Sequence, residues 1–290
     1  MPIVGEGVHH IAVDGLTIVC HVHGRGPICV AHPGGPGLDW DYLRMPSVEK
    51  HLTMVYVEPV GTGASGRLSD PSEYTMEVYV RHLDAVVRHF SADPVFVLGY
   101  SFGGFVAQCY ALTGTDRIAG LILNDTAPAT DEEFNQVARA NFDAYLDANA
   151  GRVDREAMLQ AFTDEGVVDD ATATAAMRRI LPAYFADYWS REHEFSGVAE
   201  LFKSARDPGL GFDWSSFDVR DQLTTLRCPA AILVGAHDFI CPPQWSRLMH
   251  DLIRGSTLTV FDESGRLPHI EEPQAFAATI AAFVGTVARP

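Results

Sequence analysis

The sequence predicts an α/β protein with a mostly parallel sheet flanked by helices and a helical segment inserted into it. From residue 8 to residue 126, short β-rich runs alternate with helical patterns, and the alternation resumes at Ala230. Between about Asp131 and Asp221 the β-rich runs vanish, and Ala, Asp, Glu and Arg dominate. Alternation of strands with helices is typical of a sheet covered by helices. The intervening stretch predicts a helical cap.

The first strands are predicted from a turn signal and from continuous apolar runs. Residues 9–13 and 17–22 flank Asp14-Gly15, a dipeptide typical of a tight β-hairpin turn. Residues 28–31 and 54–57 are apolar throughout, as in strands buried on both faces, which favours parallel pairing. Further strands are predicted at residues 95–98, 121–123, 230–234 and 258–261.

Four core helices follow from apolar spacing. In residues 76–90 the apolar side chains recur at i, i+3, i+4 and i+7, while Arg81, Asp84 and Arg88 fall on the opposite side. Similar segments are predicted at residues 102–112, 245–253 and 274–284. The chain is thus interpreted as one interrupted core, residues 1–127 and 222–290, around a cap at residues 128–221.

Charge and cysteine usage exclude several classes of protein. The 290 residues carry a formal net charge of −17, and the cap alone holds 19 acidic and 9 basic residues. Such acidity disfavours binding to nucleic acid or to a membrane surface, and no apolar run approaches the roughly 18 residues of a membrane span. The five cysteines form no C-x-x-C pair, so we expect reduced thiols in a cytoplasmic protein without metal or cofactor.

The strongest chemical signal is the sequence Gly-Tyr-Ser-Phe-Gly-Gly at residues 99–104. It lies directly after one predicted strand and before one predicted helix, which is the context that a G-x-S-x-G nucleophile elbow requires. The turn would lift Ser101 above the edge of the sheet. The alternative, a glycine-rich turn that only packs a helix on a sheet, is disfavoured by that context.

A second glycine-rich turn follows the strand at residues 28–31. It reads His-Pro-Gly-Gly-Pro-Gly at residues 32–37. The backbone N–H of Gly35, with that of Phe102, would form an oxyanion hole that stabilises a tetrahedral intermediate. His32 is interpreted as a hydrogen-bonded residue that holds this loop, and not as a base.

With these motifs, the sequence resembles the α/β-hydrolase superfamily, and within it the proline iminopeptidase-like branch. The glycine-rich turn of that branch is matched by residues 34–37, displaced by one proline, and its Gly-x-x-Asp-x-x-Cys-Pro motif is matched in full by residues 235–242. The resemblance implies Ser101 as the nucleophile and Asp238 as the acid that orients a base. Asp125, at the end of a strand, is an alternative acid that we rank behind Asp238.

The third member of the triad departs from the family pattern. The family places its histidine directly after Ser-Gly, but residues 264–273 read Ser-Gly-Arg-Leu-Pro-His-Ile-Glu-Glu-Pro, so Arg266 occupies that position. Arginine has no acceptor and stays protonated, so it cannot take a proton from Ser101. Two interpretations stay open. Either a shifted loop brings His269 between Ser101 and Asp238 as the base, or Arg266 pairs with Asp238 and leaves Ser101 unactivated.

Two functions from different classes follow. The first is a serine hydrolase that acts on a small ester, lactone or amide through an acyl-enzyme on Ser101. The second is a hydrolase-fold protein with a disabled site, which serves as a binding module or a non-hydrolytic catalyst. A proline iminopeptidase-like aminopeptidase ranks third, since aligning the cap with the family puts Arg191 where a substrate-binding glutamate is expected.

The cap is expected to contact a small substrate that has an apolar part. Tyr188 and Trp189 are candidate pocket residues because their rings supply apolar surface. Glu192 is a third candidate, although a solvated helix face explains it more simply.

Overall fold

An eight-stranded sheet forms the centre of the molecule in the computed structural model, which describes residues 5–211 and 217–287. Its spatial order is β1-β2-β4-β3-β5-β6-β7-β8. The strands are β1 (Gly7–Val13), β2 (Leu16–Gly24), β3 (Ile28–His32), β4 (Thr53–Glu58), β5 (Val95–Tyr100), β6 (Ile118–Asn124), β7 (Ala230–Gly235) and β8 (Thr257–Phe261).

The sheet is antiparallel at one edge and parallel elsewhere. β1 pairs with β2, and β2 with β4, in antiparallel register, whereas β4, β3, β5, β6, β7 and β8 pair in parallel. Asp14 and Gly15 both adopt positive φ, 53° and 80°, as the tight turn between β1 and β2 demands. Every residue of β4, β5 and β7 is buried. This explains their continuous apolar runs and confirms the predicted fold class.

Four core helices cover the sheet. They are α1 (Met76–Phe90) and α2 (Phe102–Leu112) in the first half, then α10 (Pro243–Leu252) and α12 (Pro273–Val287) in the second. The bounds of α1 and α2 coincide with the predicted ones. Most of α2 is buried because it packs closely on β5, and it also contacts β3, β6 and α1.

The helices between β6 and β7 make up the segment predicted as a cap. They are α3 (Glu132–Ala148), α4 (Arg155–Phe162), α5 (Asp170–Ile180), α6 (Glu192–Phe195), α7 (Val198–Leu201), α8 (Asp207–Gly211) and α9 (Arg220–Leu223). At their base, the N–H of Thr130 donates to the carbonyl of Phe217 (2.9 Å), and the N–H of Val219 donates to that of Pro128 (2.9 Å). This short antiparallel stem joins the two ends of the segment, after β6 and before α9.

The remaining short helix, α11 (Pro268–Glu271), precedes α12 and lies beside the site described below. Within residues 5–211 and 217–287, no helix is both long enough and apolar enough to cross a bilayer. All five cysteines are free thiols.

Candidate active site

Ser101 lies in a strained turn between β5 and α2. Its φ of 54° and ψ of −119° fall outside the regions that an L-residue ordinarily adopts. The turn closes only because its glycines are small: a Cβ on Gly103 would overlap the carbonyl oxygen of His32, and one on Gly104 the side chain of Thr126. The hydroxyl of Thr126 donates to the carbonyl of Ser101 (2.8 Å) and supports the turn from the end of β6.

The glycine-rich loop after β3 lies against Ser101. A Cβ on Gly34 would stand 3.1 Å from the Cβ of Ser101, and the N–H of Gly34 donates to the hydroxyl of Tyr42 (2.7 Å). Gly35 has a φ of 120° and precedes a cis proline. Phe102 begins α2 directly after Ser101. The role of Gly35 and Phe102 as oxyanion donors stays a prediction.

His32 is directed into the fold. Its Nδ1–H donates to the carbonyl of Pro33 (2.9 Å), and burial lowers the pKa of His32 to about 4. The imidazole is therefore neutral at neutral pH and anchors the start of the loop.

Arg266 lies between Ser101 and Asp238. Its Nη1 donates to both carboxylate oxygens of Asp238, at 2.9 and 2.7 Å, and its Nη2 donates to the Oγ of Ser101. Asp238 is itself held by the N–H groups of Ile240 (2.8 Å) and Cys241 (2.9 Å). One guanidinium thus bridges the carboxylate of Asp238 and the hydroxyl of Ser101.

The surroundings of Arg266 keep it charged. Its guanidinium lies 5.6 Å from the ring centre of Tyr100 and 5.7 Å from that of Tyr184. Burial opposes the charge, but the attraction of Asp238 prevails, so the pKa of Arg266 stands well above its usual value. Only 2% of Arg266 and 2% of Asp238 is exposed, which makes this a buried ion pair with little solvent screening.

His269 is not brought to Ser101 or to Asp238. It lies in α11, where its Nε2–H donates to the carbonyl of Tyr42 (2.9 Å), and its buried Nδ1 has no partner among the residues that the structure describes. Burial lowers the pKa of His269 to about 4. The proposed shift of the loop does not occur, because Arg266 precedes α11 whereas His269 is turned by that helix toward Tyr42.

Asp125, the alternative acid, lies buried at the end of β6. Its Oδ1 accepts the N–H of Gly235 (3.0 Å). Burial, reinforced by the neighbouring carboxylate of Asp238, raises the pKa of Asp125 well above the usual range of a carboxyl. Asp125 therefore favours the neutral form, and Asp238 is the acid that pairs with Arg266.

A cavity of about 200 Å³ opens above Ser101 and Arg266. Its walls are mainly apolar, and its polar lining includes Ser101, Arg266, Cys241, Ser204 and Asp164. Burial raises the pKa of Asp164 above the usual value of a carboxyl. The larger apolar or aromatic side chains are those of Leu38, Tyr100, Phe105, Phe134, Phe162, Met177, Ile180, Tyr184 and Ile240.

The predicted cap contacts to substrate were misplaced. Tyr188, Trp189 and Glu192 do not line the cavity: Tyr188 packs on Phe185 and on Trp189, and Glu192 is exposed on α6. The cap residues that do line it come from α3, α4, α5 and α8, from the segments that follow α4 and α5, and from Ser204 between α7 and α8. Helical periodicity marks such residues only as buried, because a side chain that packs the core and one that faces a cavity have the same spacing.

Comparison with known proteins shows the family of the chain. Residues 27–273 match the family described as alpha/beta hydrolase fold. The chain belongs to the α/β hydrolase fold family. Over the part of the chain that the structure describes, no group of three or more His, Cys, Asp or Glu side chains is arranged to hold a metal ion.

Relatives within the α/β hydrolase family are hydrolases at low identity. A proline iminopeptidase of Saccharolobus solfataricus is 25% identical over 92% of this chain and 87% of its own length. A 2-hydroxymuconate semialdehyde hydrolase of a Pseudomonas species is 26% identical over 94% and 92%.

Solved structures show the same fold. An α/β fold family hydrolase of Bacillus anthracis superposes with a TM-score of 0.74 at 22% identity, over 97% of this chain and 98% of that one. A thermophilic esterase of Thermogutta terrifontis gives 0.73 at 22% identity, over 97% and 99%.

Proposed function

We propose that the cavity above Ser101 binds small, mainly apolar carbonyl compounds, and that Arg266 keeps Ser101 from attacking them. The observation that carries this proposal is the pair of contacts made by one guanidinium, with Asp238 on one side and with the Oγ of Ser101 on the other. A hydrolase of this family needs an acceptor at that place.

Arg266 blocks serine chemistry in two ways. It has no lone pair to receive the hydroxyl proton of Ser101, so general-base catalysis is lost. It also donates a hydrogen bond to the Oγ and so engages a lone pair that would attack a carbonyl carbon. His32 and His269 are committed to the carbonyls of Pro33 and Tyr42 and do not replace the base.

The same contact turns Ser101 into a donor. Because its Oγ accepts from Arg266, its own proton is free to point at an acceptor in the cavity. The Ser101 hydroxyl and the N–H groups assigned to Gly35 and Phe102 would then all donate hydrogen bonds to one oxygen atom of a bound molecule. An ester, lactone or amide carbonyl supplies such an oxygen, and the apolar walls of the cavity suit the rest of a small molecule.

A second candidate is slow hydrolysis through an acyl-enzyme on Ser101. It is favoured by the strained elbow, which exposes the serine to the cavity, and by the hydrolase names of the relatives. Peptidase activity is a weaker candidate, since Arg191 and Glu194 pair with each other on α6 (2.8 Å) and do not line the cavity.

The test is the substitution Arg266→His. Loss of one triad member typically lowers kcat by about 10⁴ to 10⁶, so restoring an imidazole beside Asp238 should raise hydrolysis of a small aryl ester by roughly 10³-fold or more. A fluorophosphonate probe, read by mass spectrometry, should label Ser101 rapidly in this variant and barely in the unmodified protein.

Two controls make the result specific. Arg266→Gln removes the charge without adding a base and should stay inactive, and Ser101→Ala in the Arg266→His background should abolish the gain. Rapid labelling of Ser101 in the unmodified protein would contradict the proposal and support the second candidate.

A further inference from the structure

Glu271 joins the core to the cap beside the cavity. Its Oε1 accepts the N–H of Ala186 (2.8 Å), which lies in the cap, and its Oε2 accepts the N–H of Gly265 (2.8 Å), which lies in the loop that carries Arg266. Only 6% of Glu271 is exposed. One buried carboxyl group thus contacts two backbone segments that are about 80 residues apart in sequence.

The two segments are in close contact around this carboxylate. The N–H of Arg266 donates to the carbonyl of Tyr184 (2.5 Å), and a Cβ on Gly265 would overlap that same carbonyl oxygen. Tyr184 and Arg266 both line the cavity above Ser101. Separation of residues 184–186 from residues 264–266 would therefore open the wall of the cavity at the guanidinium.

Several charged groups lie around Glu271, but none of them forms an ion pair with it among the described residues. Arg191 of the cap attracts it from a distance and is itself paired with Glu194, while Asp125 is a nearby acid in the core. Asp187, near Arg191, is a further acid on the cap side. In the sequence, Glu272 directly follows Glu271, and His269 lies two residues before it. Burial outweighs the N–H bonds from Ala186 and Gly265 and raises the pKa of Glu271 to about 7.

We propose that Glu271 is a proton-sensitive clasp that holds the cap onto the Arg266 loop when protonated and favours opening of the cavity when ionised. The reason is linkage. Opening brings water to the carboxyl, and hydration stabilises the carboxylate more than the neutral acid. The closed state therefore binds the proton more tightly than the open state, so a rise in pH shifts the population toward opening.

The size of the effect follows from the two ionisation states. With a pKa of about 7 when closed and an ordinary value of 4.5 when open, the opening equilibrium increases up to about tenfold between roughly pH 6 and pH 8. This inference does not depend on what the cavity binds.

The experiment is amide hydrogen exchange of the whole protein from about pH 6 to about pH 8, corrected for the intrinsic pH dependence of exchange. The N–H groups of Ala186, Gly265 and Arg266 report the clasp directly, since each donates across the contact or to the carboxylate. We expect their protection to fall by up to about tenfold over this range. A flat profile in the unmodified protein would overturn the proposal without any variant.

Glu271→Gln cannot ionise, so its protection at these amides should no longer depend on pH. Glu272→Gln is the matched control: the Oε2 of Glu272 accepts the N–H of Glu263 (3.1 Å) and the hydroxyl of Ser264 (2.6 Å), both in the core. This control should keep the profile of the unmodified protein. Retention of that profile in Glu271→Gln would assign the pH dependence to another group and remove Glu271 from the mechanism.

Discussion

Every nitrogen of the Arg266 side chain is a hydrogen-bond donor and none is an acceptor, and this property decides which contacts the guanidinium can make with Ser101 and Asp238. A histidine at the same place would accept a proton from Ser101 while donating to Asp238. The guanidinium keeps the contact with the acid but reverses the direction of the contact with the serine. Because the pair is buried, each charge is stable only in the presence of the other.

Removal of both charges should therefore cost less than the sum of the two single removals. Asp238→Asn leaves a buried guanidinium without its carboxylate, and we expect a loss of about 3–5 kcal/mol in the free energy of unfolding. Arg266→Gln should cost a similar amount. The double variant Asp238→Asn/Arg266→Gln should lose clearly less than the sum of the single losses, as measured by urea unfolding. Additive losses would show that the two side chains are not coupled.

The sequence motifs predict which residues meet at the site better than they predict the role of each residue. Ser101, Asp238 and Arg266 meet where the elbow and the two later motifs place them, because each follows the end of a strand in a parallel sheet. The direction of His269 was not predictable, since a one-turn helix between Pro268 and Glu271 decides which way its ring points. The chemistry of Tyr188 and Glu192 makes them candidates for substrate contact, but residue type does not indicate which side of a turn or of a short helix borders the cavity.

Among the helices, the bounds of the longer ones are better predicted from the sequence than those of the shorter ones. The core helices α1 and α2 have the predicted bounds, since 15 and 11 residues are enough for a helical period to appear. The helices α6, α7 and α9 have four residues each. A single turn shows no periodicity, so their positions depend on tertiary contacts that the sequence pattern does not contain.

Two exposed ion pairs join the cap to the core. Arg67 contacts Asp170 of α5 (2.6 Å), and Lys203 contacts Asp41 (2.5 Å). With 44% of the Arg67 side chain and 45% of the Asp170 side chain exposed, solvent screening is strong. We expect Arg67→Ala to lower the free energy of unfolding by less than about 1 kcal/mol at low salt.

The salt dependence of that loss is the more specific measurement. In about 1 M salt the loss should nearly vanish, because the screening length falls to about 3 Å. Asp170→Asn should behave in the same way in parallel urea titrations. A loss that persists at high salt would show that Arg67 contributes through packing of its aliphatic stem, and that the ion pair itself adds nothing measurable.

For the whole molecule, buried histidines set the response to acid. His32 and His269 have pKa values of about 4, lowered from 6.5 by burial. In the unfolded chain both would take up protons near their ordinary value, so the unfolded state binds more protons between about pH 4 and pH 6.5. Their contribution to the free energy of unfolding is fully present above pH 6.5. It is lost as the pH falls toward 4, by up to about 3 kcal/mol for each ring. Glu271, whose pKa is raised from 4.5 to about 7, acts in the opposite sense over part of this range.

Replacement of one ring should separate these contributions. His269→Gln keeps a donor for the carbonyl of Tyr42 but cannot be protonated. The free energy of unfolding should therefore fall less steeply as the pH decreases from 6.5 to about 5. The slope against pH should be smaller by up to the equivalent of one bound proton. The matched control is His237→Gln, since His237 is exposed and its ring is hydrogen-bonded to the carbonyl of Asp262 (3.1 Å). Urea unfolding at several pH values gives the slope directly. If His269→Gln and His237→Gln have equal slopes, His269 is protonated equally in the folded and unfolded states, and acid sensitivity then rests on His32 and the carboxyl groups.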